Sequence, residues 1–325
     1  MPYKMFDRSK LRIKPLSERV SDLHLPESMV QLDSPVPPCD DPSIPKLADA
    51  IVKARRMDAP FIMLMGAHVI KKGLSRYVIG LMEQGLLTHI GLNGAGCIHD
   101  YEFARCGETT ESVARYIHEG QFGLWKESGE LNDIINEGAD HGLGIGEAVG
   151  KAIVERNYPN RKTSILARAY ELGIPATVHV SFGYDIVQEH PNFDGAKVGK
   201  ATYQDFLVFT ESLSHLENGV YISYGTAVMG PEVYLKSLSM VRNVAFQEGR
   251  EICHFTTGVF DLQDLGPDYH KEASKDQAAY YFRPFKTILV RTVSDGGTSY
   301  YVRGNHEVTF PNLYADIMQR WSEKK

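Results

Sequence analysis

After Pro45 the chain repeats one pattern, a short apolar run followed by a stretch with helical spacing. KLADAIVKARRM is helical, with Pro45 near its first turn, and PFIMLMGA is an apolar run of strand length. LSRYVIGLMEQG predicts an amphipathic helix closed by Gly85, and LTHIGLNGAG a strand ending in glycines. TTESVARYIHEG, NDIINEG, EAVGKAIVERN and RKTSILARAYELG predict helices, IPATVHVSFG a strand, YQDFLVFTESLSHLENG a helix and VYISYG a strand. EVYLKSLSMVRNVA predicts a helix, ICHFTTG a strand, KTILVRTVSDGG with TSYYVRG strands around a turn, and NLYADIMQRW a closing helix. Apolar strands alternating with helices specify a parallel sheet covered on both faces, the doubly wound α/β class.

Residues 1–45 differ from this body. SPVPPCDDPSIP places five prolines (Pro35, Pro37, Pro38, Pro42 and Pro45) within twelve residues, which disfavours regular structure. The segment reads as an N-terminal arm on the body or on a neighbouring subunit, or as a loose leader. Residues 46–325 show no repeat, low-complexity tract or linker and read as one domain. At 325 residues such a body buries enough surface to need no disulfide or metal staple. Its four cysteines (Cys39, Cys97, Cys106 and Cys253) stand far apart with no CxxC. No stretch approaches the ~18 apolar residues of a membrane span. MPYKMFDRSKLRIKPL is followed by no apolar signal region, so a cytoplasmic location is expected. A net charge of -6 argues against general nucleic-acid binding.

In a doubly wound sheet, ligands bind beyond the carboxyl ends of the strands. The turns to inspect are Gly66-Ala67-His68, Asn93-Gly94-Ala95-Gly96-Cys97, Ser181-Phe182-Gly183-Tyr184-Asp185, Gly225-Thr226-Ala227 and Thr256-Thr257-Gly258. Glycine lets backbone approach a phosphate, although strand-to-helix turns use glycine in any case. Together the set favours a nucleotide. Gly142-Leu143-Gly144-Ile145-Gly146 follows a helical pattern rather than a strand and reads as a helix connection, not a dinucleotide fingerprint. HExxH, GxSxG and GxxxxGK[ST] are all absent. The tightest group of metal-type ligands is His179, Asp185, Glu189 and His190, and no metal site is assigned to it.

Two downstream features carry chemistry. Asp261, Asp264, Asp268 and Glu272 fall on a loop with Gly266, Pro267 and Tyr269, where carboxylates suit a cationic amine or simply solvent. Tyr280-Tyr281-Phe282-Arg283-Pro284-Phe285 precedes Lys286. Apolar surroundings and a nearby cation favour the neutral amine of a lysine, the form that builds a Schiff base; a surface lysine packed on rings fits the same pattern.

Six blocks in order, roughly from Pro60 to Phe310, resemble the deoxyhypusine synthases, and more narrowly their bacterial and archaeal deoxyhypusine synthase-like branch. MLMGAHVIKKGLSRYVIGLMEQG resembles the family's first nucleotide-side strand and helix, and NGAGCIHDYEF stands in place of its TAGG-x-EED turn. GIPATVHVSFGYDIV parallels the strand leading to its aspartates, and YGTAVMGPEVYLKSLSMVRN replaces its GGG turn and helix. FTTGVFDLQD is similar to NTAQEFDGSD, and VRGNHEVTFPNL occupies the place of YADAxLVFPLL. The departures are specific. His99-Asp100 stands for a pair of glutamates, Arg283-Pro284-Phe285-Lys286 for Trp-Gly-Lys after an insertion, Gly225-Thr226-Ala227 for the glycine triplet and Asn305 for an aspartate, while Pro231 or Glu232 stands where a histidine is expected.

The resemblance implies a Rossmann-like fold, NAD as cofactor and a homotetramer with sites at dimer interfaces. It implies transfer of an aminobutyl group from a polyamine such as spermidine, through a lysine imine, to an acceptor amine (a protein lysine or a small diamine). Carried over, Gly94, Ala95, Gly96, Thr226, Ala227, Thr256, Asp261 and Asn305 fall at the cofactor. Asp100, Asp185, Glu232 and Asp264 fall near the amine, and Lys286 at the imine-forming lysine. His99 is a candidate proton carrier, because imidazole titrates near neutrality. An NAD-dependent amine dehydrogenase and an NAD-binding homologue without catalysis are the alternatives.

Overall fold

The computed structural model describes residues 3–266 and 268–323; Pro267 of the acidic loop lies outside them. Six strands form one parallel sheet: β2 (Phe61–Met65), β3 (His89–Asn93), β5 (Ala176–His179), β6 (Val220–Tyr224), β7 (Thr256–Asp261) and β8 (Thr298–Arg303). They lie side by side as β5-β3-β2-β6-β7-β8. Counted along the chain, that is the 3-2-1-4-5-6 order of dinucleotide-binding sheets, and it reverses between β2 and β6. The doubly wound, Rossmann-like architecture read from the sequence is the one observed.

The two faces follow from the pleat. Successive side chains point to opposite faces, so an apolar strand without alternation must be covered twice. Phe61, Met63 and Met65 of β2 join one core, with α1 (Ser43–Arg56), α3 (Ser75–Glu83) and α12 (His306–Ser322). Ile62 and Leu64 join the other, with α9 (Gly195–Leu213) and α10 (Met229–Gln247). The open edge of β5 is capped by side chains of α9. Asp205 accepts from the Val178 N–H at 2.8 Å, and Thr202 donates to the Val178 carbonyl at 3.0 Å, which blocks further strand addition.

At the reversal point the turns after β2 and β6 interlock. A Cβ on Gly66 would lie 2.2 Å from the Gly225 carbonyl oxygen, a backbone atom that cannot rotate away. Gly66→Ala is therefore expected to cost about 1–3 kcal/mol, read as a lower denaturation midpoint at an unchanged slope. A midpoint equal to wild type would show that the two turns separate freely.

Three expectations are corrected. KTILVR is not a strand but part of a π-helical segment, Phe285–Arg291, and β8 runs parallel to β7 rather than pairing in a hairpin. Phe285, Ile288 and Leu289 have i, i+3, i+4 spacing and share a core, a helical pattern hidden in a short apolar run. The strand expected at ICHFTTG begins only at Thr256, because the Glu217 carboxylate takes the N–H groups of Cys253 and His254. The glycines after β3 open α4 (Gly94–Cys106) directly, with the Asn93 side chain accepting from the Gly96 N–H at 2.9 Å.

The arm lies on its own chain's body. Leu16 packs with Tyr116 and Trp125, and β1 (Ser21–His24) pairs antiparallel with β4 (Glu108–Glu111). Farther along, the Pro37 carbonyl accepts from Asn312 at 2.8 Å. At the Gly142–Gly146 loop, the Asp205 carboxylate accepts from the Gly146 N–H at the start of α7 (Ile145–Glu155), and a Cβ on Gly144 would lie 1.9 Å from Asp205 Oδ1. That helix start holds an internal carboxylate rather than a phosphate.

Candidate functional site

Two cavities open at the carboxyl edge of the sheet, one on each side of the reversal point. The first, about 250 Å³, lies between the start of α4, β4, the loop after β5 and the arm; Lys71, Ala95, His99, Thr110, Tyr184 and Asp185 line it, with Arg19 and Glu102 at its wall. The second, about 370 Å³, lies beyond β2, β6, β7 and β8, and is lined by His68, Lys72, Gly225, Asp261, Asn305, His306 and Glu307. Lys71 ends the short helix α2 (His68–Lys71), so Lys71 and Lys72 face different cavities.

His99 is the chemically distinctive group of the first cavity. Its Nδ1 lies 2.7 Å from Thr109 Oγ1, and that hydroxyl is 2.5 Å from the Glu102 carboxylate. The hydroxyl has one proton, and a carboxylate only accepts, so the proton goes to Glu102. Thr109 must then accept from His99, which places the ring proton on Nδ1 and leaves Nε2 with a bare lone pair. Burial, reinforced by Lys71, Arg19 and His68, outweighs the favourable charge of Glu102 and brings the His99 pKa down to about 4. The imidazole is thus neutral at pH 7, a base already in its working form.

Asp185 and Thr110 complete the lining. A Cβ on Gly94 would lie 2.0 Å from Asp185 Oδ2, so glycine is required for the carboxylate to reach the helix start. Burial raises the Asp185 pKa to about 6. Thr110 has a φ of 69°, a region that β-branched residues avoid, and its buried hydroxyl has no partner among the described residues. Strain of this kind persists where the surroundings enforce it and concentrates at functional sites. Lys71 is half-buried and has no ion-pair partner among the described residues.

The sequence-predicted residues separate into groups. Ala95, His99 and Asp185 meet in the first cavity, and Asp261 and Asn305 in the second. Gly94 backs Asp185, Gly96 is tied to Asn93, and Thr226 and Ala227 follow Gly225, with Thr226 Oγ1 accepting from the Gly230 N–H at 3.0 Å. Thr256 lies at the amino end of β7, opposite the ligand edge, because the strand starts there. Asp100 is spent inside the protein, accepting from Ser164 Oγ at 2.5 Å and from the N–H groups of Ile165 and Leu166, which caps α8 (Ile165–Leu172). Glu232 is bound to Arg283 and Lys236, and Asp264 to Arg303 at 2.7 Å. Glu272 pairs with Arg291 and Asp268 closes its own turn on His270, so the acidic loop does not converge on an amine.

Lys286 is 7% exposed, with its ammonium 3.7 Å from the centre of the Tyr280 ring and 6.0 Å from that of Tyr281. It lines neither cavity. His179 and His190 turn away from Asp185, toward Thr177 and the Gly123 carbonyl. Among the described residues no three such side chains gather to hold a metal ion, and no helix is long and apolar enough to cross a membrane.

Sequence reasoning missed Arg19, Lys71, Glu102, Thr109 and Thr110. Glu102 was within reach, since it stands three residues after His99 on the same helical face. For Arg19, 83 residues from its partner Glu102, no local signal exists.

The second cavity carries groups of the kind that hold a nucleotide. Gly225 has a φ of 59°, and a Cβ there would lie 2.2 Å from His306 Nε2, so the turn is bare where it faces the cavity. Asp261 at the end of β7 suits a ribose diol, and Lys72, shared with Glu307 at 2.6 Å, offers positive charge, whereas burial and the neighbouring lysines hold His68 toward its neutral form. The turn after β2, Gly66-Ala67-His68-Val69-Ile70-Lys71, lacks the second and third glycines of the dinucleotide fingerprint.

No protein-family model matches the chain, and no curated protein sequence matches it. Solved structures do. A candidate LOR/SDH protein from Methanococcus maripaludis S2 superposes with a TM-score of 0.50 at 15% identity, over 91% of this chain and 73% of its own. AgrE, solved as a ternary complex with ornithine and NAD+, superposes with a TM-score of 0.52 at 10% identity, over 86% of this chain and 33% of its own. This chain therefore spans about a third of AgrE. A candidate deoxyhypusine synthase from Entamoeba histolytica matches more loosely, with a TM-score of 0.40 at 9% identity, over 85% and 87% of the two chains. The likeness is one of fold.

Proposed function

We propose that this protein is an NAD-dependent enzyme that removes hydride from the nitrogen-bearing carbon of a small amine. The observation that carries the reading is the bare Nε2 of a neutral His99, held in a carboxyl-edge cavity beside Asp185. NAD, when bound, supplies the hydride acceptor, with Gly225, Asp261, Asn305 and Lys72 as the residues that would hold it. The chain's own groups prepare the amine. Asp185 holds the ammonium by charge-assisted hydrogen bonds, and His99 Nε2 takes a proton from it. Lys71 brings an unneutralised positive charge to the same cavity, which suits a substrate with a carboxylate as well as an amine. A diamino acid matches that charge pattern better than the polycation spermidine, and the ornithine bound by AgrE supports the choice.

The second reading is aminobutyl transfer from a polyamine through Lys286. Its support is the near-complete burial of that lysine among tyrosine rings. Because Lys286 lines neither cavity, this reading needs sites shared between subunits of a homotetramer, and full activity in a demonstrably monomeric sample would overturn it. One experiment separates the two. The protein is incubated with NAD and a panel of ornithine, lysine, putrescine and spermidine; NADH is followed by absorbance, and borohydride is then added for peptide mass analysis. Net NADH with a diamino acid supports hydride removal. A borohydride-fixed adduct on the Lys286 peptide without net NADH establishes transfer. Neither signal with any amine overturns both.

The pH dependence follows from Asp185. Holding an ammonium requires the carboxylate, which is present above a pKa of about 6 and lost below it, whereas His99 stays neutral down to about 4. kcat/KM is expected to fall about tenfold per unit of pH below 6, and Asp185→Asn to remove that limb while lowering the plateau. An unchanged acid limb in Asp185→Asn would assign the titration to another group.

A further inference from the structure

We propose that Arg19 of the N-terminal arm is a positioning residue that sets the polarity of a hydrogen-bond relay ending at His99. The proposal builds on the reading of His99 as the base and adds what makes it one. Arg19 grips Glu102 with both terminal nitrogens, at 2.9 and 3.2 Å, and its Nε is 2.9 Å from Ser21 Oγ. The two side chains are 1% and 2% exposed. A guanidinium does not deprotonate, so a carboxylate must stand opposite it when both are buried. Ser128 donates to the same carboxylate.

That fixed anion orders the bonds beyond it. Glu102 can only accept, so Thr109 donates to it, and His99 Nδ1 donates to Thr109. Nε2 is left bare toward the cavity. Removing the permanent cation reverses the logic. Glu102 is then free to take up a proton and donate to Thr109, and Thr109 in turn donates to Nδ1. The ring proton moves to Nε2, and the base is lost although every side chain of the first cavity except Arg19 remains. The other charged or titratable groups around His99 are Lys71 and His68 of α2, Glu111 of β4 and Asp185 of the loop after β5. None of them forms a hydrogen bond with its ring among the described residues.

The test reads protons rather than turnover. Long-range 15N–1H spectra of the 15N-histidine protein, with His99 assigned by its loss in His99→Gln, report which ring nitrogen carries hydrogen at pH 7. Wild type is expected to show Nδ1–H, and Arg19→Leu to show Nε2–H together with at least a tenfold loss of turnover. Thr109→Val cuts the relay without touching the buried ion pair and is expected to lose the exclusive Nδ1–H state, whereas Thr109→Ser restores it. Nε2–H in wild type, or an exclusive Nδ1–H in Thr109→Val, overturns the relay. If Arg19→Leu does not fold, the Thr109 pair decides. The tautomer is visible whether or not any amine is oxidised, so failure of the relay and failure of the proposed activity give different results.

Discussion

His99→Gln is expected to lower kcat/KM for the amine substrate by about 10²–10⁴-fold, the usual contribution of a positioned general base. The fold should stand, because His99 is half-buried and the one hydrogen bond of its ring among the described residues, to Thr109, can be made by a glutamine amide. Loss of rate must therefore come with an unchanged thermal midpoint and unchanged NAD affinity. The variant discriminates because the competing reading places the chemistry at Lys286, which lines a different part of the molecule. A loss below threefold in His99→Gln, with a large loss in Lys286→Ala, would move the reaction away from the first cavity. NADH formation under saturating NAD is the measurement, since binding and chemistry then separate into KM and kcat.

The charge pattern bears on the same choice. An imine-forming lysine has to present its amine to the substrate, and Lys286 instead lies 3.7 Å from the centre of the Tyr280 ring, whose face attracts an ammonium. Arg283, the cation expected to act on it, is bound to Glu232. At the first cavity, by contrast, a bare lone pair, a carboxyl group and an ammonium without an ion-pair partner among the described residues converge, with the strained Thr110 holding one wall.

How much of this was legible depended on whether the signal was local. The strands announced themselves because a two-sided sheet needs unbroken apolar runs such as FIMLM and VYISY, bounded by glycine. Phe285–Arg291 misled because seven apolar-rich residues fit a strand as well as a helical turn, and only the packing of Phe285, Ile288 and Leu289 decides. The glycine turns at Gly94 and Gly225 do lie at the carboxyl edge of the sheet, each closely approached by another side chain, since close approach leaves a local trace. The acidic loop misled for the opposite reason. Its carboxylates look free in sequence, but Asp264 and Glu272 are taken by arginines 39 and 19 residues away. Asp100 was placed near the amine by the resemblance, as half of the pair that stands for two glutamates, but a helix directs adjacent side chains about 100° apart, and it caps α8 instead.

Arg19→Leu is expected to destabilise the folded chain by about 3–5 kcal/mol, because it leaves the Glu102 charge buried without its counter-ion. Leucine roughly conserves the stem, so the loss isolates the charge rather than the packing. Arg19→Leu/Glu102→Leu should recover much of that loss, since an apolar pair of similar volume replaces two desolvated charges; recovery stays incomplete because Thr109 and Ser128 lose their acceptor. Denaturation midpoints of the wild type, both single variants and the double variant give the coupling energy directly. A cost below about 1 kcal/mol for Arg19→Leu would mean that the pair is solvated and the arm is dispensable to the body. The expected result has a consequence for the arm as a whole. Residues before β2 then contribute to the stability of the sheet they precede, through one guanidinium bound to Glu102 of α4, and cutting the chain after Arg19 should cost as much as the substitution.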